Sequence, residues 1–313
     1  MSVSTDLLVR GVARGIHVAA SLAILGTTAG YRLFAQAGLQ RDKSSAARNA
    51  QNAIVKFLRA SFAVVVIAGL IWLLCEAIYA SGSNQIASGF GAILPLLRDT
   101  NFGHLLIIRM ILMAGAVLVF GHGQSNRRVL LAGSFAAIAV ALQAGLGHGA
   151  AMGGSEGHLL LATLILHLLA AGLWLGGLVS LLIVVKVATP EAAFRAATRF
   201  SRLGITCVIA IAVTAVIQGW YLVGSISALT GTAYGLVAAG KLVLFVSLIA
   251  IAATNRWQTS RLPTPSGQHA KEFLYKSIAI ETAVGLAVVV LAGILMELPP
   301  AMDIAKIGMA GQP

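Results

Sequence analysis

The sequence predicts an all-α fold: a polytopic membrane protein with eight transmembrane helices. Three observations carry this. Only 10% of the 313 residues are charged and 58% are hydrophobic, whereas a soluble domain carries about a quarter charged residues. Apolar runs long enough to cross a bilayer as helices recur along the whole chain. Lys and Arg also fall into alternating connections between these runs, as the positive-inside rule requires.

The spans follow in order. Span 1, residues 11–34, comes after Asp6 and carries Arg10 and Arg14 at its outer flank; no small-residue cleavage site follows, so a cleavable signal peptide is not expected. The next connection and its flanks hold Arg32, Arg41, Lys43, Arg48, Lys56 and Arg59, and "FLR" opens span 2, residues 57–80. "TNFGHLLIIR" opens span 3, residues 101–121, and Arg127 and Arg128 separate it from span 4, residues 129–148. A glycine-rich hinge leads to span 5, residues 158–186. Lys186, Arg195, Arg199 and Arg202 then precede span 6, residues 203–224, opened by "FSR". Span 7 covers residues 234–254. Arg256, Arg261, Lys271 and Lys276 lead into span 8, residues 274–297.

The basic residues sort 16 to one side and 4 (Arg10, Arg14, Arg98 and Lys306) to the other, with Arg109 and Lys241 inside spans. The basic side is therefore expected to be cytoplasmic, with both termini and the 4–5 hinge facing outward. The net charge of +12 is a topology signal. Scattered over four short inner loops, it argues against nucleic-acid binding, and the bilayer is the expected macroscopic partner. Cys75 and Cys207 both lie in apolar runs, so no disulfide framework is expected. No phosphate-binding loop of the G-x-x-x-x-G-K-[ST] type is present, which argues against an energised pump, and a non-enzymatic protein is expected.

The first half resembles the second. "HVAASLAILG" (His17–Gly26) aligns with "HLLAAGLWLG" (His167–Gly176), Phe57–Arg59 with Phe200–Arg202, and Thr100–Arg109 with Thr232–Lys241. Each unit holds an even number of spans, so both insert the same way round, as parallel repeats about an axis along the membrane normal. The expected organisation is a first four-helix repeat (1–148), an outer hinge (149–157), a second four-helix repeat (158–300) and an outer tail (301–313).

Metal-ligating side chains concentrate toward the outer side. His17, His104, His148, His158 and His167 fall in the outer half, while His122 and His269 fall on the inner side. In "LGHGAAMGGSEGH", glycines allow a sharp fold that brings His148, Met152 and His158 together. Imidazole with thioether suits copper, and Met favours Cu(I) over Cu(II). His17 and His167 lie deeper, where polar groups are expensive and a functional role is the default suspicion. His158 and His167 are nine residues apart, so on one regular helix they point to opposite faces. Either His158 belongs to the loop or two sites stand in sequence. The expected metal ligands are thus His148, Met152, His158, His167, His17 and His104. The alternatives are interfacial or interhelical hydrogen bonds for the histidines and core packing for Met110 and Met113. Met296, Met302 and Met309 offer a weak outer relay. Arg109 and Lys241 need pairing or a wet cavity, unless they snorkel.

"HLLAAGLWLGGL" (His167–Leu178), "RFSRLG" (Arg199–Gly204), "TAYGLVAAGK" (Thr232–Lys241) and "NRW" (Asn255–Trp257) resemble the CopD family of copper resistance and copper homeostasis membrane proteins. The resemblance implies a bacterial inner-membrane protein that moves copper from periplasm to cytoplasm, working with a separate periplasmic carrier of the CopC type. It carries over His167, Trp174, Gly176 and Gly177. Two rival readings stand beside it. One is a b-type cytochrome with haem between paired histidines such as His17 and His167, or His104 and His148; the other is a copper sensor or assembly factor that does not transport.

Overall fold

The computed structural model describes residues 5–32, 45–83, 85–261 and 267–302. Among these the structure is helical and strand-free, with eight helices long and apolar enough to cross a membrane. Spans 1 to 8 occupy Thr5–Gly30, Arg48–Ala80, Asn101–Gly121, Asn126–Leu146, Gly154–Val187, Pro190–Leu222, Ala233–Thr254 and Gln268–Leu295. Hydropathy places all eight in order but misplaces several ends. Apolarity marks where the bilayer is, whereas a helix ends where its caps are. Thr189 caps span 6 by accepting the Ala192 N–H, and Pro190 occupies the first turn, so this helix starts 13 residues before the expected 203. Span 7 likewise continues as helix to Arg261.

The sharpest difference is at the hinge. Span 4 leaves regular helix at Leu142 and passes through a tight 3₁₀ turn at Gln143–Leu146 and one helical turn at His148–Ala151. Gly147, Met152 and Gly153 are extended, and span 5 starts at Gly154, whose φ of +72° suits glycine. His158 is therefore on the helix and not in the loop. Two short helices went unforeseen: Ile86–Asp99 between spans 2 and 3, and Ile226–Gly231 between spans 6 and 7. The first exposes Ile86, Phe90 and Leu94 on one stripe, the pattern of a helix lying in the membrane interface.

Spans 1 and 5 form the centre: 67% and 61% of their apolar windows are buried, against 39% or less for every other span. They cross where Gly26 meets Gly172 and Gly176, and any Cβ at these positions would strike backbone or Leu25. This is the small-xxx-small geometry by which membrane helices approach closely. The residues aligned by the internal similarity, Gly26 and Gly176, are thus the ones that touch. Gly11 and Gly15 of span 1 make an equally close approach to Gly293 of span 8. Just past His167, span 5 relaxes into a π-helical turn, Gly172–Gly176, a deviation frequent at functional sites.

An ion cluster closes the outer end of span 1. Arg10 and Arg14 both pair with Glu297, at 2.6 and 3.1 Å, just past the end of span 8. Glu76 of span 2 accepts from the Trp72 indole at 3.1 Å and lies 3.7 Å from Arg10. Arg14 also donates to the Leu146 carbonyl at 2.7 Å, tying span 1 to the hinge.

Candidate metal site

His17 and His167 are oriented alike. The His17 Nδ1 lies 2.9 Å from the Val65 carbonyl of span 2, an acceptor only, so Nδ1 carries the proton. The His167 Nδ1 lies 2.9 Å from the Thr214 hydroxyl of span 6. That hydroxyl spends its proton on the Ala210 or Ile211 carbonyl, at 2.7 and 3.0 Å, and so accepts from the imidazole. In both rings Nε2 is left with its lone pair, the form that binds metals, fixed by a hydrogen bond on the other nitrogen.

Their surroundings differ. His17 is 1% exposed, and its Nε2 is buried without a partner. The Trp72 ring packs beside it at 5.7 Å, and Gly69 and Met110 close the remaining side. His167 instead lines a cavity of about 300 Å³ bounded by spans 1, 4, 5, 6, 7 and 8. Trp174 and Phe245 form one wall, edge to face at 6.2 Å. Lys241, Gln143, Gln218, Tyr234 and Met296 bring polar or sulfur atoms to the same space.

The alignment of the halves explains the contrast. Trp72, Glu76 and Leu106 pair with Ala215, Gly219 and Ala238. Trp72 and Leu106 are buried together in one apolar cluster with Ala13 and Leu73, whereas all three of their small counterparts line the cavity. Bulk fills the space in the first half; its loss opens the second.

The hinge donors separate. His148 faces Tyr234, ring centroids 6.0 Å apart, and Met152 packs on the apolar cluster that contains Tyr234. Neither lines the cavity itself, although Tyr234 does. His158 is exposed, and sharing one helix with His167 puts it on another face. His104 is exposed at the start of span 3, where its Nε2 donates to the Arg98 carbonyl at 2.7 Å. Among the described residues no three His, Cys, Asp or Glu side chains converge as a metal cage. Of the methionines, Met296 reaches the cavity, Met110 packs beside His17, and Met309 lies outside the described residues.

Arg109 is buried at 1% exposure and donates its Nε–H to the Ala139 carbonyl at 3.0 Å, while one terminal nitrogen lacks a partner. Lys241 faces the cavity. Of the expected pairing or wet space, Arg109 thus has one backbone acceptor and Lys241 an adjoining cavity. Sequence reasoning overlooked Gln143, Gln218 and Tyr234. A glutamine within an apolar run was the available signal, since a buried amide demands partners.

Two family models match the chain: Copper resistance protein D-like, N-terminal domain, over residues 4–159, and Copper resistance protein D over residues 194–295. The His167–Gly177 stretch lies between these matched segments. Copper resistance protein D of Pseudomonas syringae pv. tomato is 28% identical over 222 residues, covering 66% of this chain and 72% of that protein. Copper transport protein CutJ of Bacillus subtilis (strain 168) is 26% identical over 138 residues, covering 43% of this chain and 24% of that protein. No solved structure matches.

Proposed function

The chain belongs to the copper resistance protein D family, and from that premise we propose that it carries copper ions across the bacterial inner membrane from periplasm to cytoplasm, with copper as cargo. The observation that carries the reading is His167: a neutral imidazole pinned through Nδ1, with its Nε2 lone pair free, on the wall of a cavity. The soft sulfur of Met296 on that wall favours Cu(I). His148 faces Tyr234 and Met152 packs on the apolar cluster that includes it, which supports capture at that end, with exposed His158 as a first contact. His17 is a structural counterpart, and His104 a peripheral donor. Both termini are periplasmic in this reading, the halves are tandem repeats, and a separate CopC-type carrier delivers the metal.

The test is Cu(I) uptake into proteoliposomes together with metal content of the purified protein. Uptake is expected in wild type and absent in His167→Ala, with the fold verified. Copper binding without flux favours a sensor or assembly factor. The haem reading requires the paired rings to face one space, but His17 turns to span 2 and His167 to span 6. A colourless purified protein is the expected outcome.

A further inference from the structure

Lys241 enters the cavity eight residues below the outer end of span 7, about 12 Å of helix rise. The His167 ring lines the same cavity. Among the described residues Lys241 makes no hydrogen bond or ion pair, and no carboxylate lines the cavity. The acids of the neighbouring spans are engaged: Glu297 holds Arg10 and Arg14, Glu76 holds Arg10 and Trp72, and the buried Glu281 of span 8 has a partner of its own. A second donor in the same space is also unsatisfied, the buried amide nitrogen of Gln218.

This arrangement is unsuited to a bare metal cation. Two like charges in a site shielded from water repel strongly, and an ammonium at membrane depth demands a counter-charge. What the cavity lacks among the described residues is a negative charge: no carboxylate lines it, and the unsatisfied buried amide oxygen of Gln143 is neutral. A monodentate soft anion supplies it and at the same time fills a coordination position on copper(I) opposite imidazole. We propose that the cavity takes copper(I) together with an anion X⁻, chloride or a small thiolate, as a neutral His167–Cu–X unit whose X is held by Lys241 and Gln218. Cu⁺ and X⁻ cancel, so loading adds no net charge to the cavity; the single positive charge of the ammonium remains, and X gives it a hydrogen-bond acceptor at the negative end of the Cu–X dipole. No electron is transferred and no covalent bond of the protein changes. The inference rests on the reading of His167 as the copper station.

The experiment uses the purified full-length protein, loaded anaerobically with copper(I) against a competing chelator at fixed free metal. Four media are compared: nitrate, chloride, bromide, and nitrate with a small thiol. Affinity is expected to rise at least about tenfold from nitrate to chloride or to thiol, and the medium that produces the rise identifies the source of the anion. In bromide, the copper X-ray absorption spectrum is expected to show a bromine neighbour, which Met296 sulfur cannot imitate. Lys241→Leu should lose the anion response and Lys241→Arg should keep it; should Lys241→Leu not fold, the bromine neighbour in wild type decides alone. Equal affinity in all four media with only nitrogen and sulfur neighbours in bromide overturns the proposal while leaving the copper station intact. Copper binding that survives His167→Ala overturns the copper station itself.

Discussion

The proposed copper station at His167 turns on a hydroxyl that cannot donate twice. Because Thr214 gives its proton to the helix backbone, it accepts from His167 and holds the ring in the tautomer with a free Nε2. Thr214→Val keeps the shape and removes the acceptor, so Cu(I) affinity should fall about 10–100-fold by competition titration, the usual effect of losing such a partner. Thr214→Ser should restore it. An unchanged affinity in Thr214→Val would falsify the positioning role. At the hinge, the double variant His148→Ala/His158→Ala should slow uptake, and Met152→Leu, of similar volume without sulfur, should weaken Cu(I) selectively. His122→Ala and His269→Ala on the inner side serve as controls. Equal uptake in the outer double variant and wild type removes capture at the hinge from the mechanism. His17 and His167 were both legible from one repeated motif. That only His167 opens to space was not, because the deciding neighbours come from spans 2, 3, 6 and 7.

Element packing converts small sequence differences into an open or closed site. Ala215→Trp should place in the second half the bulk that Trp72 places in the first. The expected result is loss of copper binding with thermal unfolding in detergent little changed, because the indole fills existing space; retained binding counts against the cavity as the site. The reverse change, Trp72→Ala, empties a buried position and should destabilise by about 3–5 kcal/mol. Gly176 acts differently. It touches the Gly26 backbone at the crossing of spans 1 and 5, so Gly176→Leu should push apart the central pair and cost about 1–3 kcal/mol or more. A lowered unfolding midpoint and a broadened elution profile would report it, and a wild-type midpoint would contradict the crossing. The helix ends were only partly legible. Caps such as Thr100, Ser125 and Thr189 sit beyond the apolar runs that announce the spans.

At the scale of the whole molecule, the 16-to-4 partition of Lys and Arg leads to both termini outside. A reporter fused after Pro313 should be active in the periplasm, and cytoplasmic activity would reject the orientation. The outer ion cluster joins spans 1, 2 and 8 and the hinge through Arg10, Arg14, Glu76 and Glu297. The sequence by itself determined the number of spans, the all-α class, the internal similarity of its two halves and where its histidines and methionines fall along the spans. Each of these follows from local composition, which the bilayer reads directly: apolar length sets the span, and charge sets the side. Only the tertiary structure decided which donors meet. It turned His158 outward on the helix of span 5, closed His17 behind Trp72, and left His167 facing a cavity with Lys241. The physical reason is that open space is a property of neighbours. A cavity exists where Ala215, Gly219 and Ala238, from two different helices, fail to fill it, and no local pattern around His167 records what those distant positions leave empty.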